Sequence, residues 1–231
     1  MRIFSTRFLF LVSLLLIFVS NVQSLPNATL FDLYTSTNGG SWGDFTNWNP
    51  GVFPCDTWVG VSCSTDIMGN PIWDIDLESN GLDGVIPNSF YSGDSELLEI
   101  YFSANPNLRG IIQTEIGRFD ELEVLDLDST GLIGTLPSEV GNLDMLTRLN
   151  VAYSSLSGQL PTELGDVTSL ERLLLNENDF NGTIPTEIAN LALLEELDIS
   201  GNVDLDYPMP DLSSMAALTV LRARDLGYFG P

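Results

Sequence analysis

One spacing constrains this chain more than any other. The stretch from Leu122 to Met145 carries Leu122, Leu125 and Leu127, then Gly134-Thr-Leu-Pro137, then Val140 and Leu143, and it recurs from Leu146, Leu170 and Leu194. Aligned on the fourth residue, the copies fall at Ile75, Ile100, Leu125, Leu149, Leu173, Leu197 and Leu221, in steps of 25, 25, 24, 24, 24 and 24 residues. A fixed period of this size marks a solenoid. A single unit cannot bury its own apolar face, so neighbouring units must stack into one continuous core.

Each unit can be read physically. In Leu125-Asp126-Leu127-Asp128 apolar residues alternate with carboxylates, the period of a half-buried strand. Gly131 and Gly134 permit sharp turns, and Pro137 starts a stiff, extended return segment that has no amide to donate. Val140 and Leu143 then turn inward. An Asn stands five residues after the alignment point at Asn80, Asn105, Asn178 and Asn202. Buried there, it can pair turn backbone groups that no strand satisfies. Thr130 and Ser154 replace it in two copies and offer fewer bonds, so the ladder is expected to be weaker there.

These residues resemble the leucine-rich repeat family. The Gly-x-Ile/Leu-Pro signature at Gly84 to Pro87, Gly134 to Pro137, Gly158 to Pro161 and Gly182 to Pro185 resembles its 24-residue plant-type subclass. Gln113 departs from it, as does Tyr207-Pro-Met-Pro210 with an extra residue before Leu205. The resemblance implies an α/β solenoid: a right-handed superhelix with a parallel β-sheet on its concave face and an N-terminal cap. About seven repeats, the last incomplete, are expected over residues 72–231, behind a cap over 25–71. Function does not follow from the fold, which is a scaffold for many partners.

Residues 1–24 read as a secretory signal peptide. Arg2 and Arg7 form a basic end, Phe8 to Val19 is apolar except for Ser13, and small residues precede the cut after Ser24. The apolar run is short for a membrane span of about 20 residues. Cleavage would leave 6 Arg against 32 acidic residues, a formal net charge of −26, with no Lys or His. Such a chain makes a very poor partner for nucleic acid or for an anionic membrane surface. A membrane connection is expected only through a segment this chain lacks, and secretion or the extracellular face of the plasma membrane is the expected location.

Between the signal and the repeats, Leu30, Phe31, Leu33 and Tyr34 predict a short amphipathic helix ended by Asn38-Gly39-Gly40. Trp42 and Trp48 follow, then Cys55 and Cys63 around Trp58 and Gly60-Val61. This resembles the plant-type cap, with one residue more between the first Cys and the Trp. Such a cap would cover the sheet edge and the apolar end of the first coil. Cys55 and Cys63 are the only cysteines, and in a secreted chain they are expected to pair. The sequons Asn27-Ala-Thr29 and Asn181-Gly-Thr183 mark Asn27 and Asn181 as candidate glycosylation sites.

In the family, the exposed face of the strand region is the one that binds. Alternation places on it Asp74, Asp76, Glu78, Glu99, Tyr101, Asp126, Asp128, Arg148, Asn150 and Arg172, with Tyr153 beside it. The first three repeats are acidic there, while Arg148, Arg172, Arg222 and Arg224 collect toward the other end. All of these side chains are expected to be solvated and to point away from the core, so neutralising Asp76, Asp126 and Asp128 is expected to leave the fold intact.

Catalysis is not expected. Asp126 to Gly131 imitates the opening of a calcium loop, but its twelfth position is Pro137 where a Glu is required. Paired carboxylates can hydrolyse glycosides, yet a regular open sheet offers no pocket, and His, Lys and a free Cys are lacking for general-base or nucleophilic work. No metal or cofactor is expected. The reading is a secreted or cell-surface, non-catalytic recognition protein that binds a protein, peptide or glycan. The alternatives are an inhibitor or wall-associated protein resembling polygalacturonase inhibitors and an ectodomain fragment of a longer receptor-like kinase.

Overall fold

The computed structural model describes residues 27–46, 48, 58–65, 71–92, 97–206 and 208–227. Residues 1–24, expected to be a signal peptide, and Cys55 lie outside them.

Every alternating stretch becomes a short strand. The strands are β1 (Val61–Thr65), β2 (Pro71–Asp76), β4 (Leu97–Tyr101), β6 (Val124–Asp126), β8 (Arg148–Asn150), β10 (Arg172–Leu174), β12 (Glu196–Asp198) and β14 (Val220–Arg222), neighbours in that order in one eight-stranded sheet. From β2 onward all pairs are parallel and set the aligned residues side by side, Ile100 beside Leu125 and Leu125 beside Leu149. β1 alone runs antiparallel, covering the edge of β2 from Val61 opposite Ile75 to Thr65 opposite Pro71.

A second, six-stranded sheet lies after the corner, and the periodicity did not announce it. It contains β3 (Gly84–Val85), β5 (Leu108–Gly110), β7 (Gly131–Gly134), β9 (Ser155–Gln159), β11 (Asp179–Thr183) and β13 (Asp204–Asp206). The return segments then wind into single 3-10 turns, such as Ser138–Asn142 and Thr162–Asp166. Pro137 enters its turn at φ −70°, ψ 146°. Gln113 takes nearly the same angles, φ −75°, ψ 150°, so the missing proline changes no geometry. Coils meet closely here: a Cβ on Gly165 would lie 2.3 Å from the Glu187 carbonyl oxygen, which only glycine avoids.

The core is the stack of inward residues. Ile75, Ile100, Leu125, Leu149, Leu173 and Leu197 are at most 1% exposed. Leu221, aligned with them, is 48% exposed, because no described coil covers its far side. Phe90 of the first coil packs on Phe102 and Phe119 of the second at 5.8 and 5.9 Å, larger rings where later coils carry aliphatic side chains.

The asparagine ladder forms where Asn is present. Asn105 accepts from the Leu82 amide and donates to the carbonyls of Leu77, Phe102 and Ser103. Asn178 and Asn202 repeat the arrangement. Thr130 donates to the Leu127 carbonyl and touches the Ser154 hydroxyl at 3.1 Å, but neither bonds to a carbonyl of the preceding coil. Asn80 turns instead toward the N-terminal segment, exchanging bonds with the backbone of Asp44.

That segment begins with a helix, α1 (Asn27–Ser36), whose Leu30 and Leu33 are fully buried. Tyr34, Trp42, Trp48 and Trp58 pack together: Tyr34 stacks on Trp48, Trp42 meets Trp48 edge to face at 4.7 Å, and Trp48 lies tilted against Trp58 at 4.7 Å. The Trp42 indole donates to the Thr37 carbonyl and that of Trp48 to the Val59 carbonyl, so these buried N–H groups are paired. Cys63 stands in β1.

A feature absent from the sequence reading is a column of left-handed corners. Ser79, Ala104, Ser129, Tyr153, Glu177, Gly201 and Asp225 all have φ between 50° and 74°. The positive φ turns the backbone so that the amide reaches the next coil: Ala104 donates to the Asp128 carbonyl at 2.8 Å and Tyr153 to that of Asn176 at 3.0 Å. Only Gly201 adopts it without steric cost. The Tyr153 backbone is therefore strained for the ladder's sake, as its equivalents are.

Candidate functional site

The eight-stranded sheet carries the outward column Asp76, Tyr101, Asp126, Asn150, Leu174, Asp198 and Arg222. Its oxygens have a local duty. Asp76, Asp126, Asn150 and Asp198 each accept from the amide two residues on, at 3.1, 3.2, 3.2 and 3.0 Å. This Asx-type bond satisfies a donor at the strand end. The residues therefore shape the face as well as charge it.

Burial corrects the expectation of a uniformly solvated strip. Asp126 and Asn150 are 5% and 6% exposed. Arg148 donates to Asp126 Oδ2 at 2.8 Å, and the Asn150 amide donates to both its oxygens at 3.0 and 3.2 Å. Two groups of the next strand, β8, thus hold the Asp126 carboxylate of β6, and neutralising it would break that network. Asp128 is half-buried; burial raises its carboxyl pKa first, the Ser129 hydroxyl bond opposes this, and Asp126 adds to the rise. Asp198, which the sequence reading did not single out, repeats the case at 8% exposed, with Arg222 bonded to Glu196 and 3.7 Å from Asp198.

The remaining candidates are open. Asp76 and Glu78 are exposed, and Asp74 and Glu99 are half-buried. Tyr101 is half-exposed, its phenol pushed up to about 12 by burial and then by the adjacent Glu99 carboxylate. Arg172 is exposed and lies in register between Arg148 and Glu196, with no ion pair among the described residues. Tyr153 is 59% exposed at its corner. The structure therefore brings Asp74, Asp76, Glu78, Glu99 and Tyr101 together at one end of the face, and Arg172, Arg222 and Arg224 toward the other.

Among the described residues, no three acidic or thiol groups converge as metal ligands, and no helix is long and apolar enough to cross a membrane. Asn181 is exposed in β11, on the other sheet, and Asn27 is the first residue of α1.

With this geometry in place, known proteins give a family. The leucine-rich repeat model matches residues 121–143 and 169–191. No curated protein sequence matches the chain. Among solved structures, the plant peptide hormone receptor RGFR1, in complex with RGF2, superposes with a TM-score of 0.65 at 31% identity over 74% of this chain. This chain spans only 26% of that receptor chain. A chain of the BIR3–SERK2 complex from Arabidopsis thaliana gives 0.63 at 30% identity, covering 80% of this chain and 97% of its own length. The ectodomain of the receptor kinase SOBIR1 from Arabidopsis thaliana gives 0.67 at 29% identity, covering 81% and 97%. The match over nearly the whole BIR3–SERK2 chain, with the repeat geometry above, places this chain in the leucine-rich repeat family, in its plant-type form.

Proposed function

We propose that the chain is a non-catalytic recognition module, secreted or held at the cell exterior, that binds a peptide or an extended protein segment across its concave face. The observation that carries this reading is the separation of open charge along the sheet. Carboxylates of Asp76, Glu78 and Glu99 face outward at the first coils, beside Tyr101, and the guanidiniums of Arg172 and Arg224 face outward at the later ones, with no side-chain ion pair to any of the five among the described residues. An extended segment with basic groups at one end and acidic groups at the other would pair with both, and such complementarity sets register and on-rate. The similar proteins support it: RGFR1 is a peptide hormone receptor, and BIR3 and SERK2 form a complex with each other. A glycan ligand is a finer version of the same proposal. Residues 1–24 would act as the signal, residues 25–71 as the cap, and a Cys55–Cys63 disulfide would close the cap's loop.

Peptides selected from a display library against the whole chain provide the test. Their affinity is expected to fall at least about tenfold, about 1.4 kcal/mol, in Tyr101→Ala and Arg172→Glu. It is expected to be unchanged in Ile133→Ser, on the second sheet. Equal affinity across all four proteins would reject the concave face as the binding surface.

A further inference from the structure

The six-stranded sheet has an outer face of its own, and β11 carries on it a group that no coil needs. Asn181-Gly182-Thr183 is an acceptor sequence for N-linked glycan. Asn181 and Thr183 are two residues apart in a strand, so both side chains leave by the same face. Both are exposed. Neither side chain makes a hydrogen bond among the described residues, in contrast to Asn178, whose amide is fully used three residues earlier. The equivalent positions one and two coils back are Ser157 and Ile133, so a sugar here would be a single feature and not a periodic one.

The surroundings suit a sugar. Asn181 stands in register between Gln159 of β9 and Asp204 of β13, both exposed and polar. Alongside runs an open groove of about 490 Å³ whose walls include Gln159, Thr183, Ile184, Pro185 and Met209. It offers polar groups for sugar hydroxyls on one side and apolar surface for a sugar face on the other.

We infer that Asn181 carries an N-linked glycan whose first sugars lie over this groove, closing the β9–β11–β13 face to partners. The Asn181 amide nitrogen forms a bond to the anomeric carbon of an oligosaccharide carried on a lipid pyrophosphate. The bond from that carbon to the pyrophosphate oxygen breaks, the lipid pyrophosphate leaves, and the amide gives up one proton. The inference rests on the proposed function only in requiring passage through a secretory pathway.

The test uses the full chain behind a host secretion leader in a eukaryotic secretory host, so that it does not depend on residues 1–24. Peptide mapping after enzymatic deglycosylation in heavy-oxygen water separates true glycan release from spontaneous deamidation at Asn181-Gly182. Wild type and Thr183→Ser are expected to carry a glycan at Asn181, while Asn181→Gln and Thr183→Ala carry none there. Peroxide oxidation of Met209 is expected to be several-fold slower in wild type than in Asn181→Gln. An Asn181 recovered only as unmodified amide from secreted protein would overturn the modification. Equal Met209 oxidation in glycosylated wild type and the variant would overturn the placement. Failure of the native leader to export the chain would bear on the proposed function alone.

Discussion

Arg148 on β8 reaches across one strand spacing to Asp126 on β6, bringing Nη2 to 2.8 Å from Oδ2. The carboxylate side is 7% exposed and the guanidinium 33%. Because Asn150 of the same strand as Arg148 also donates to Asp126, and the Asp128 amide of its own coil does too, the carboxylate has its charge and its lone pairs satisfied by one neighbouring coil and its own turn. Removing the guanidinium alone leaves a buried charge short of a partner, and that asymmetry dominates such pairs.

Arg148→Met is therefore expected to lower unfolding free energy by about 1–3 kcal/mol. The double variant Arg148→Met with Asp126→Leu is expected to recover part of that loss, because the stranded charge is gone. Denaturant titration of the wild type, the two single variants Arg148→Met and Asp126→Leu, and the double variant checks this. A double variant that loses the sum of the two single losses would contradict it.

The core column and the concave column are expected to differ sharply. Leu149 is fully buried between coils, and its change to Ala is expected to cost about 2–5 kcal/mol through lost transfer energy and a cavity. Leu174 is its half-exposed neighbour on the outer face, and the same change there is expected to cost under about 1 kcal/mol. Midpoints of chemical unfolding for the two variants decide between this register and one shifted by a residue.

Ala104 sits at φ 55° only so that its amide can reach the Asp128 carbonyl. Ala104→Gly keeps that bond and relieves the left-handed strain, so it is expected to stabilise by about 1 kcal/mol. The reverse change, Gly201→Ala, introduces the strain and also meets the Glu177 side chain at 2.7 Å, so it is expected to destabilise. Thermal midpoints read both; a lower midpoint for Ala104→Gly would contradict the role given to the corner.

Asp128 gives a pH signature. Its carboxyl pKa in the folded state is raised above the ordinary 3.8, so the folded state favours the protonated form. The stability this contributes is present below the ordinary value and is lost as pH rises through the raised one. Asp128→Asn is accordingly expected to stabilise at neutral pH, with the gain shrinking as pH falls toward 3.8. Unfolding free energies of wild type and variant across that range test it, and a gain independent of pH would exclude the titration as its source.

The fold was legible because its information is periodic. The 24-residue step, the inward leucines and the ladder at Asn105, Asn178 and Asn202 all repeat in the chain, and the structure stacks them accordingly. The second sheet was not legible, because strands such as Gly84–Val85 and Leu108–Gly110 are too short to show alternation. The state of the concave carboxylates was hidden for another reason. Asp76 and Asp126 occupy the same repeat position, yet one is exposed and the other buried, because Arg148 and Asn150 lean over Asp126 from the next coil. That difference depends on neighbours a coil away in the chain, whereas alternation reports only which face a residue takes. The column of left-handed corners had one sequence signal, Gly201, and its six non-glycine equivalents obscured it.

The central claim is that recognition takes place on the concave face, and contact mapping tests it most directly. A photoreactive side chain would replace Tyr101 on that face in one protein and Ile133 on the second sheet in another. Each would then be illuminated with a library-selected peptide at matched concentration. Cross-linking at position 101, suppressed by excess unlabelled peptide, with none at position 133, is the expected result. Competed cross-linking at position 133 with none at position 101 would contradict the account.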